Sequence, residues 1–370
     1  GRYAMEKNKL RYYLRETLRT LLPILAALVV GGFVIMAIGE DPITTYSVLL
    51  QKSLLNYSGL MKTLHYAAPL ILTGLAIAIT FKANIYNMAV EGAAVLGGFT
   101  AAVVGFSVHG LPAPAHIALC LLMGILAGVL YTAVPALLKA YLNVDEMVVT
   151  LMLNYALVIV LQFFAEGILK DPKSGYVSTY AISPDAMFHK LFGSELTPFF
   201  FISIIVFIFF FFVFKKSKLG YEITAMGYNS TFSEATGMNV RRKIILIMLI
   251  SGALSGLAGG GFMLSEKYRY TLDFSGDPGL GWEGMLIALV GRKDPIGILI
   301  ASIFFAALNT GSDYVDMFTN VPKNIVGVLQ GIIILFVSFR AADAHFGITD
   351  KIKNRFQKAR GNHPAEGKAA

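Results

Sequence analysis

Long apolar stretches separated by short polar ones dominate the chain. They place candidate spans at 20–39, 63–81, 86–107, 115–138, 147–166, 197–214, 244–262, 280–291, 296–310 and 324–339. Most are long enough as helices to cross a hydrocarbon core of about 30 Å. The expected fold is an all-α polytopic membrane protein, with about ten transmembrane helices forming one bundle over 20–340. Two spans are short. Residues 280–291 (LGWEGMLIALVG) would rise only about 18 Å as a helix, and 296–310 follows directly after Arg292, Lys293, Asp294 and Pro295. A hairpin dipping in and out would leave Arg292 and Lys293 near mid-membrane, where unpaired charge is expensive. Both runs are therefore expected to cross, because a short glycine-rich helix is tolerated where it faces a cavity and not lipid.

The segments between spans differ in character. Residues 1–19 place Leu10, Leu14 and Leu18 at helical spacing among arginines, an amphipathic lead-in lying on the lipid surface. Residues 167–196 mix Gly, Pro, Ser and both charge signs, and read equally as a cap or as a solvated connector. The polar, basic loop 215–243 (KKSKLGYEITAMGYNSTFSEATGMNVRRK) is long for a membrane protein and reads as a docking element, and 341–370 is a basic tail. Within the spans, Gly252, Gly256 and Gly260, and likewise Gly124 and Gly128, recur every fourth residue, a spacing that lets helix backbones approach closely.

Composition agrees with the pattern. Only 15% of residues are charged, against about 25% in a soluble domain. The formal charge of +8 could suggest nucleic acid, but topology accounts for it. With the N-terminus inside, 23 of the 31 Lys and Arg residues fall on the cytoplasmic side. The positive-inside rule then puts both termini in the cytoplasm, and no nucleic-acid partner is needed. The basic N-terminal segment leads into a full-length span without a small-residue cleavage site, so no cleaved signal peptide is expected.

Candidate chemistry is sparse. Cys120 is the single cysteine, and the six histidines are scattered without ligand spacing, so no metal site is expected. There is no GxxxxGK[ST] phosphate loop, no HExxH and no GxSxG, so the chain is not expected to hydrolyse ATP or to be an enzyme. What stands out is polarity at membrane depth, which usually faces a bundle interior. Asn84, Asn87 and Glu91 fall on one face entering the third span. Glu146, Thr150 and Asn154 follow one another along the fifth, Trp282 and Glu283 open the eighth, and Asn309 closes the ninth. These hydrogen-bonding groups and one aromatic platform suit a neutral polar solute. An ion-coupled carrier using Glu91 as its proton site is a further reading, but it leaves the docking loop without a role. An intramembrane enzyme lacks a catalytic constellation.

Four segments carry a resemblance. FKANIYNMAVEG (81–92), NVDEMVVTLMLNYAL (143–157), GYNSTFSEATGMNVRRKIILIMLISGALSGLAG (227–259) and GWEGMLIALVGRKDPIG (281–297) occur in order. Together they resemble the permease subunits of bacterial ABC importers for branched-chain amino acids, ribose and nucleosides, specifically the nucleoside and simple-sugar branch. That resemblance implies a type II-importer-like permease in the bacterial plasma membrane, moving nucleosides by alternating access, with ribose or another simple sugar as the alternative cargo. It implies a separate cytoplasmic ATPase holding ATP and Mg, a second permease (a related chain or a copy of itself) and an extracellular solute-binding protein. The family's coupling element falls on Glu234, Ala235 and Gly237, one residue tighter than the pattern in other permeases. A short helix near 230–239 would then seat Met226, Phe232, Ala235 and Met238 in a groove of the ATPase.

Overall fold

The computed structural model describes residues 25–276 and 279–322, together with 327, 328, 330–332 and 335. The lead-in 1–19, the first residues of the first span, most of the tenth span and the tail 341–370 lie outside the described residues. The chain divides into two units, residues 1–46 with 319–370, and residues 47–318. The first contains α1 (Leu25–Ala37) and the opening of α2 (Pro42–Leu50). There the Asp41 carboxylate accepts the Thr44 N–H at 3.0 Å, and the Tyr46 hydroxyl donates to the Leu28 carbonyl at 2.7 Å.

The second unit is a helical bundle: α3 (Tyr57–Lys82), α4 (Ala89–Ser107), α5 (Ala113–Leu142), α6 (Glu146–Glu166), α7 (Pro198–Lys216), α8 (Lys218–Tyr228), α9 (Ser230–Ala235), α10 (Val240–Phe262), α11 (Leu272–Gly276), α12 (Leu280–Val290) and α13 (Pro295–Phe318). Among the described residues seven helices, α3 to α7, α10 and α13, are long and apolar enough to cross a membrane, while α1 and α12 are shorter apolar helices. Side chains capable of capping start the helices that follow polar breaks. Asp145 accepts from the Val148 N–H at α6, Ser217 from Gly220 at α8, Asn229 from Phe232 at α9 and Asn239 from Arg242 at α10. Each satisfies an N–H that has no partner within its helix.

Glycine spacing builds the centre. A Cβ on Gly128 would strike the Gly252 carbonyl, one on Gly256 the Gly124 carbonyl, and one on Gly97 the Gly256 backbone. Helices α4, α5 and α10 thus meet backbone to backbone, as the four-residue spacing predicts for α5 and α10. Around this seam α3 is buried along most of its length, whereas α6 and α7 keep most of their apolar surface exposed, as helices against lipid do.

Contacts sort the helix ends into two groups. At one end the Lys293 ammonium donates to the Phe81 carbonyl at 2.9 Å, Lys215 pairs with Asp294 and Lys139 pairs with Glu146 at 2.8 Å. At the other, Lys62 meets Asp313 at 2.8 Å and Tyr66 meets Glu266. The contacts at Glu266 belong to one group and those at Lys293 to the other, and between them α12, with eleven residues, is a shorter apolar helix. The ninth run is not short: α13 continues to Phe318 and has 24 residues. The third span starts later than the sequence pattern suggests. Residues 83–88 are not helical, and α4 begins at Ala89, so Asn84, Asn87 and Glu91 do not share one helical face. Residues 167–196 are bonded to the bundle through their backbone. Their N–H groups at Thr179, Ile182, Ser183 and Phe188 donate to the carbonyls of Tyr270, Tyr268, Gly105 and Leu264, and Ile182 is buried against Gly105.

Candidate functional site

Two interruptions of helix meet inside the bundle. The first is the link from α3 to α4. Asn84 adopts a left-handed conformation (φ 60°), which asparagine tolerates better than most residues, and the chain then runs irregularly to Met88. Neighbouring side chains satisfy the backbone groups this exposes. The Tyr86 N–H donates to Glu146 Oε1 at 2.9 Å and the Met88 N–H to Thr150 Oγ1 at 3.2 Å. Asn154 Nδ2 donates to the Met88 carbonyl at 2.9 Å, and Asn154 Oδ1 accepts from the Tyr131 hydroxyl at 2.7 Å. Asn87 Oδ1 accepts the Ala89 N–H, while its Nδ2 donates to Ser251 Oγ at 3.2 Å. Ser251 lies about 16 Å along α10 from that helix's first residue, by helical rise, so the break reaches deep into the bundle.

The second interruption precedes α12. Gly279 is left-handed (φ 74°) and serves as its N-cap. In the first turn the Gly281 N–H donates to Glu91 Oε2, and Glu91 is 8% exposed. A buried carboxylate at a helix N-terminus is favoured by the unsatisfied N–H groups and by the helix dipole. Any Cβ on Gly281 would press on the Glu91 backbone, so the close approach requires glycine there. One residue beyond Trp282, the Glu283 carboxylate accepts from Asn309 Nδ2 at 2.9 and 3.0 Å, fastening α12 to α13.

Most of the residues singled out by membrane depth are thus brought together. Asn87, Glu146, Thr150 and Asn154 surround the first break, and Glu91 joins it to the second. Glu283 and Asn309 form a clamp beside them, with Trp282 half-exposed on the same turn. Asn84 is separate and lines a cavity at the Lys82 end. The groups form a network of neutral amides, hydroxyls and three carboxylates, without a nucleophile–base pair. Among the described residues no group of His, Cys, Asp and Glu could hold a metal ion.

The 215–243 loop folds as α8, α9 and a turn. Phe232, Glu234, Ala235 and Gly237 are exposed and Met238 is half-buried. Two details differ from expectation. Helix α9 stops at Ala235, because Gly237 is left-handed (φ 90°) and turns the chain into α10. Met226 is 3% exposed and packs into the chain's own core, so it offers no contact to a partner. Sequence reasoning also missed four features. Tyr221 and Tyr228 lie exposed on α8. Glu222 is buried and pairs with Lys243 from α10, and its position four residues after Lys218 was the available signal. A cavity of about 510 Å³ lies between α8, the 236–239 turn and the start of α10, lined by residues including Lys218, Tyr221, Met238 and Arg242. At the opposite end, buried His65 lies 3.2 Å from Glu266 and 3.4 Å from the Thr197 hydroxyl. The spacing of Lys62, His65 and Tyr66 on one face of α3 could have revealed that cluster.

Comparison with known proteins adds the following. The family model for the permease component of the branched-chain amino acid transport system matches residues 59–338. The nucleoside ABC transporter permease protein NupB of Lactococcus lactis is 32% identical over 88% of this chain and 92% of its own length. The guanosine ABC transporter permease protein NupP of Bacillus subtilis is 30% identical over 88% and 94%. A glucose ABC transporter permease of Haloferax volcanii is 30% identical over 86% of each chain. No solved structure matches.

Proposed function

The chain belongs to the family of branched-chain amino acid transport system permease components, and on that premise we propose that it is the translocation subunit of an ATP-driven importer of nucleosides. The observation that carries the cargo is the likeness to NupB and NupP, which extends over nine-tenths of their lengths. The protein is a multi-pass membrane protein. In our reading it sits in the plasma membrane with ten spans and both termini in the cytoplasm, an orientation that rests on the distribution of basic residues.

In this reading the protein performs no covalent chemistry and binds no cofactor. ATP and Mg are held by a separate ATPase, which engages Phe232, Glu234, Ala235, Gly237 and Met238, together with exposed Tyr221 and Tyr228. An extracellular solute-binding protein delivers cargo to the end where α3 begins, and a second permease, related or identical, completes the path. The solute path involves Asn84, Asn87, Glu91, Glu146, Thr150, Asn154, Trp282, Glu283 and Asn309. Their hydrogen bonds within the chain support a specific role for most of them: they hold the 83–88 break and α12 in one of two arrangements, and ATP-driven closure shifts the balance. Only differential stability of the two arrangements is needed.

Uptake of labelled uridine by cells with and without the gene tests the cargo, using ribose and purine nucleosides as competitors. Gene-dependent uptake blocked by nucleosides and not by ribose is expected. A sugar is the second reading, favoured by the glucose permease relative, and uptake abolished by ribose or glucose would select it.

A further inference from the structure

The end of the bundle where α3 begins holds a cation between two aromatic faces. The Lys62 ammonium stands 5.7 Å over the Tyr66 ring and 5.8 Å over the Tyr314 ring, and its partner Asp313 lies 2.8 Å away. Fastening α3 to α13 needs only the ion pair. Two tyrosine faces turned toward the same ammonium are a further feature that the pair does not call for. The Lys62 and Asp313 side chains keep 25% and 21% of their surface accessible, and both tyrosines are half-buried, so the group is reached from outside the core.

The rings and the ammonium differ in how firmly they are held. Tyr66 packs edge-on against His65 and tilted against Phe262, with ring centroids 5.6 and 6.5 Å apart, and its hydroxyl donates to Glu266 at 3.1 Å. Tyr314 stacks on Phe318. The Lys62 ammonium sits at the tip of a flexible four-carbon stem. Attraction between a cation and an accessible ring is weak, whereas a planar base stacked on an aromatic side chain is held more strongly and with little regard to its identity. The rings are thus preorganised faces, and the ammonium is the part that yields. Their position ties them to the polar groups of the solute path. Asp313 is one turn of α13 beyond Asn309, which holds Glu283 beside Trp282.

Resting on the nucleoside reading above, we propose that Tyr66 and Tyr314 form a base-stacking station at this end of the bundle. The base of an incoming nucleoside lies against the Tyr66 ring in the place of the Lys62 ammonium, flanked by Tyr314, before the solute reaches Trp282. Lys62 fills the station when it is empty.

The test uses 4-thiouridine, a nucleoside whose base crosslinks to its neighbours under near-ultraviolet light. Cells carrying the whole transporter are irradiated with it, and the chain is isolated for peptide mapping. Adducts on Tyr66 or Tyr314 are expected, suppressed by unlabelled uridine and not by ribose. Tyr66→Leu should lower that labelling by about tenfold through lost stacking. Tyr66→Phe, which keeps the ring and gives up only the bond to Glu266, should leave it within about twofold. Gene-dependent uptake of 4-thiouridine with adducts confined to other residues would overturn the station while leaving the nucleoside reading intact. Equal labelling in wild type and Tyr66→Leu would overturn it too, as would equal suppression by ribose. Absence of any gene-dependent uptake of 4-thiouridine or uridine would overturn the nucleoside reading, and the station with it.

Discussion

The two ends of the bundle handle charge in opposite ways. Where α3 begins, cations are matched by carboxylates: Lys62 by Asp313, His65 by Glu266 and Lys190 by Glu195, and residues 167–196 are bonded to the bundle through their backbone. Where α3 ends, cations outnumber carboxylates, aromatic side chains stand exposed on α8 and α9, and two cavities remain open. The first end is organised to be closed by the chain itself. In our reading the second is the end that the partner ATPase completes. Removing one partner of a desolvated charge pair is strongly destabilising, so the first end should depend on its own pairs.

Substitutions that act on one end alone test this contrast, and one substitution between them should erase it. Gly256→Leu drives a branched side chain into the α5 backbone, and overpacking at a backbone contact has little room to relax. Loss of folded protein after detergent extraction is expected, with both ends lost together. His65→Ala should cost about 2–4 kcal/mol by emptying a buried site and stranding its Glu266 and Thr197 partners. Denaturant titration would read this, and a cost under about 0.5 kcal/mol would mean that the end where α3 begins is not held by its pairs. Glu91→Gln keeps the shape but removes the charge facing α12. Stability should fall by about 1–2 kcal/mol and transport by about tenfold, while the ATPase still assembles. Glu234→Arg on exposed α9 should change stability by less than about 0.5 kcal/mol. It should nevertheless abolish transport-coupled ATP hydrolysis, and intact coupling would remove Glu234 from the docking surface.

How much of this was legible in the chain depended on the kind of signal. Apolar runs are strong signals, and α5, α6, α7 and α10 lie within a few residues of where they were expected. Regular glycine spacing in 252–260 and 124–128 identified the seam, because four residues bring one face back almost every turn. The start of α4 was misplaced because Tyr86 and Met88 are apolar enough to continue a helix, and only the tertiary partners Glu146 and Thr150 show that their backbone is bonded elsewhere. The length of α13 was underestimated because Asn309, Thr310, Ser312 and Asp313 interrupt its hydropathy; Asn309 and Asp313 are answered by Glu283 and Lys62. Membrane depth selected Asn87, Glu91 and Asn154, but not their use: depth marks a polar group as expensive without saying whether a solute or the chain itself satisfies it. Met226 was misread for a related reason, since an apolar residue in a polar loop can serve the loop's own packing.

The glycine seam sets what can move. Where three helices touch through bare backbone, few side chains lie between them to repack, so small rotamer adjustments do little to let them slide past one another. In our reading they form the stator of the machine. The stroke is delivered instead, in the same reading, by α12, which Gly281 and Gly284 let approach α4 and α3 closely. It is an eleven-residue lever, pinned to Glu91 and Asn309 at one tip and to Phe81 through Lys293 at the other. Its joints are a few hydrogen bonds that can be exchanged one at a time, while the frame that carries them stays rigid.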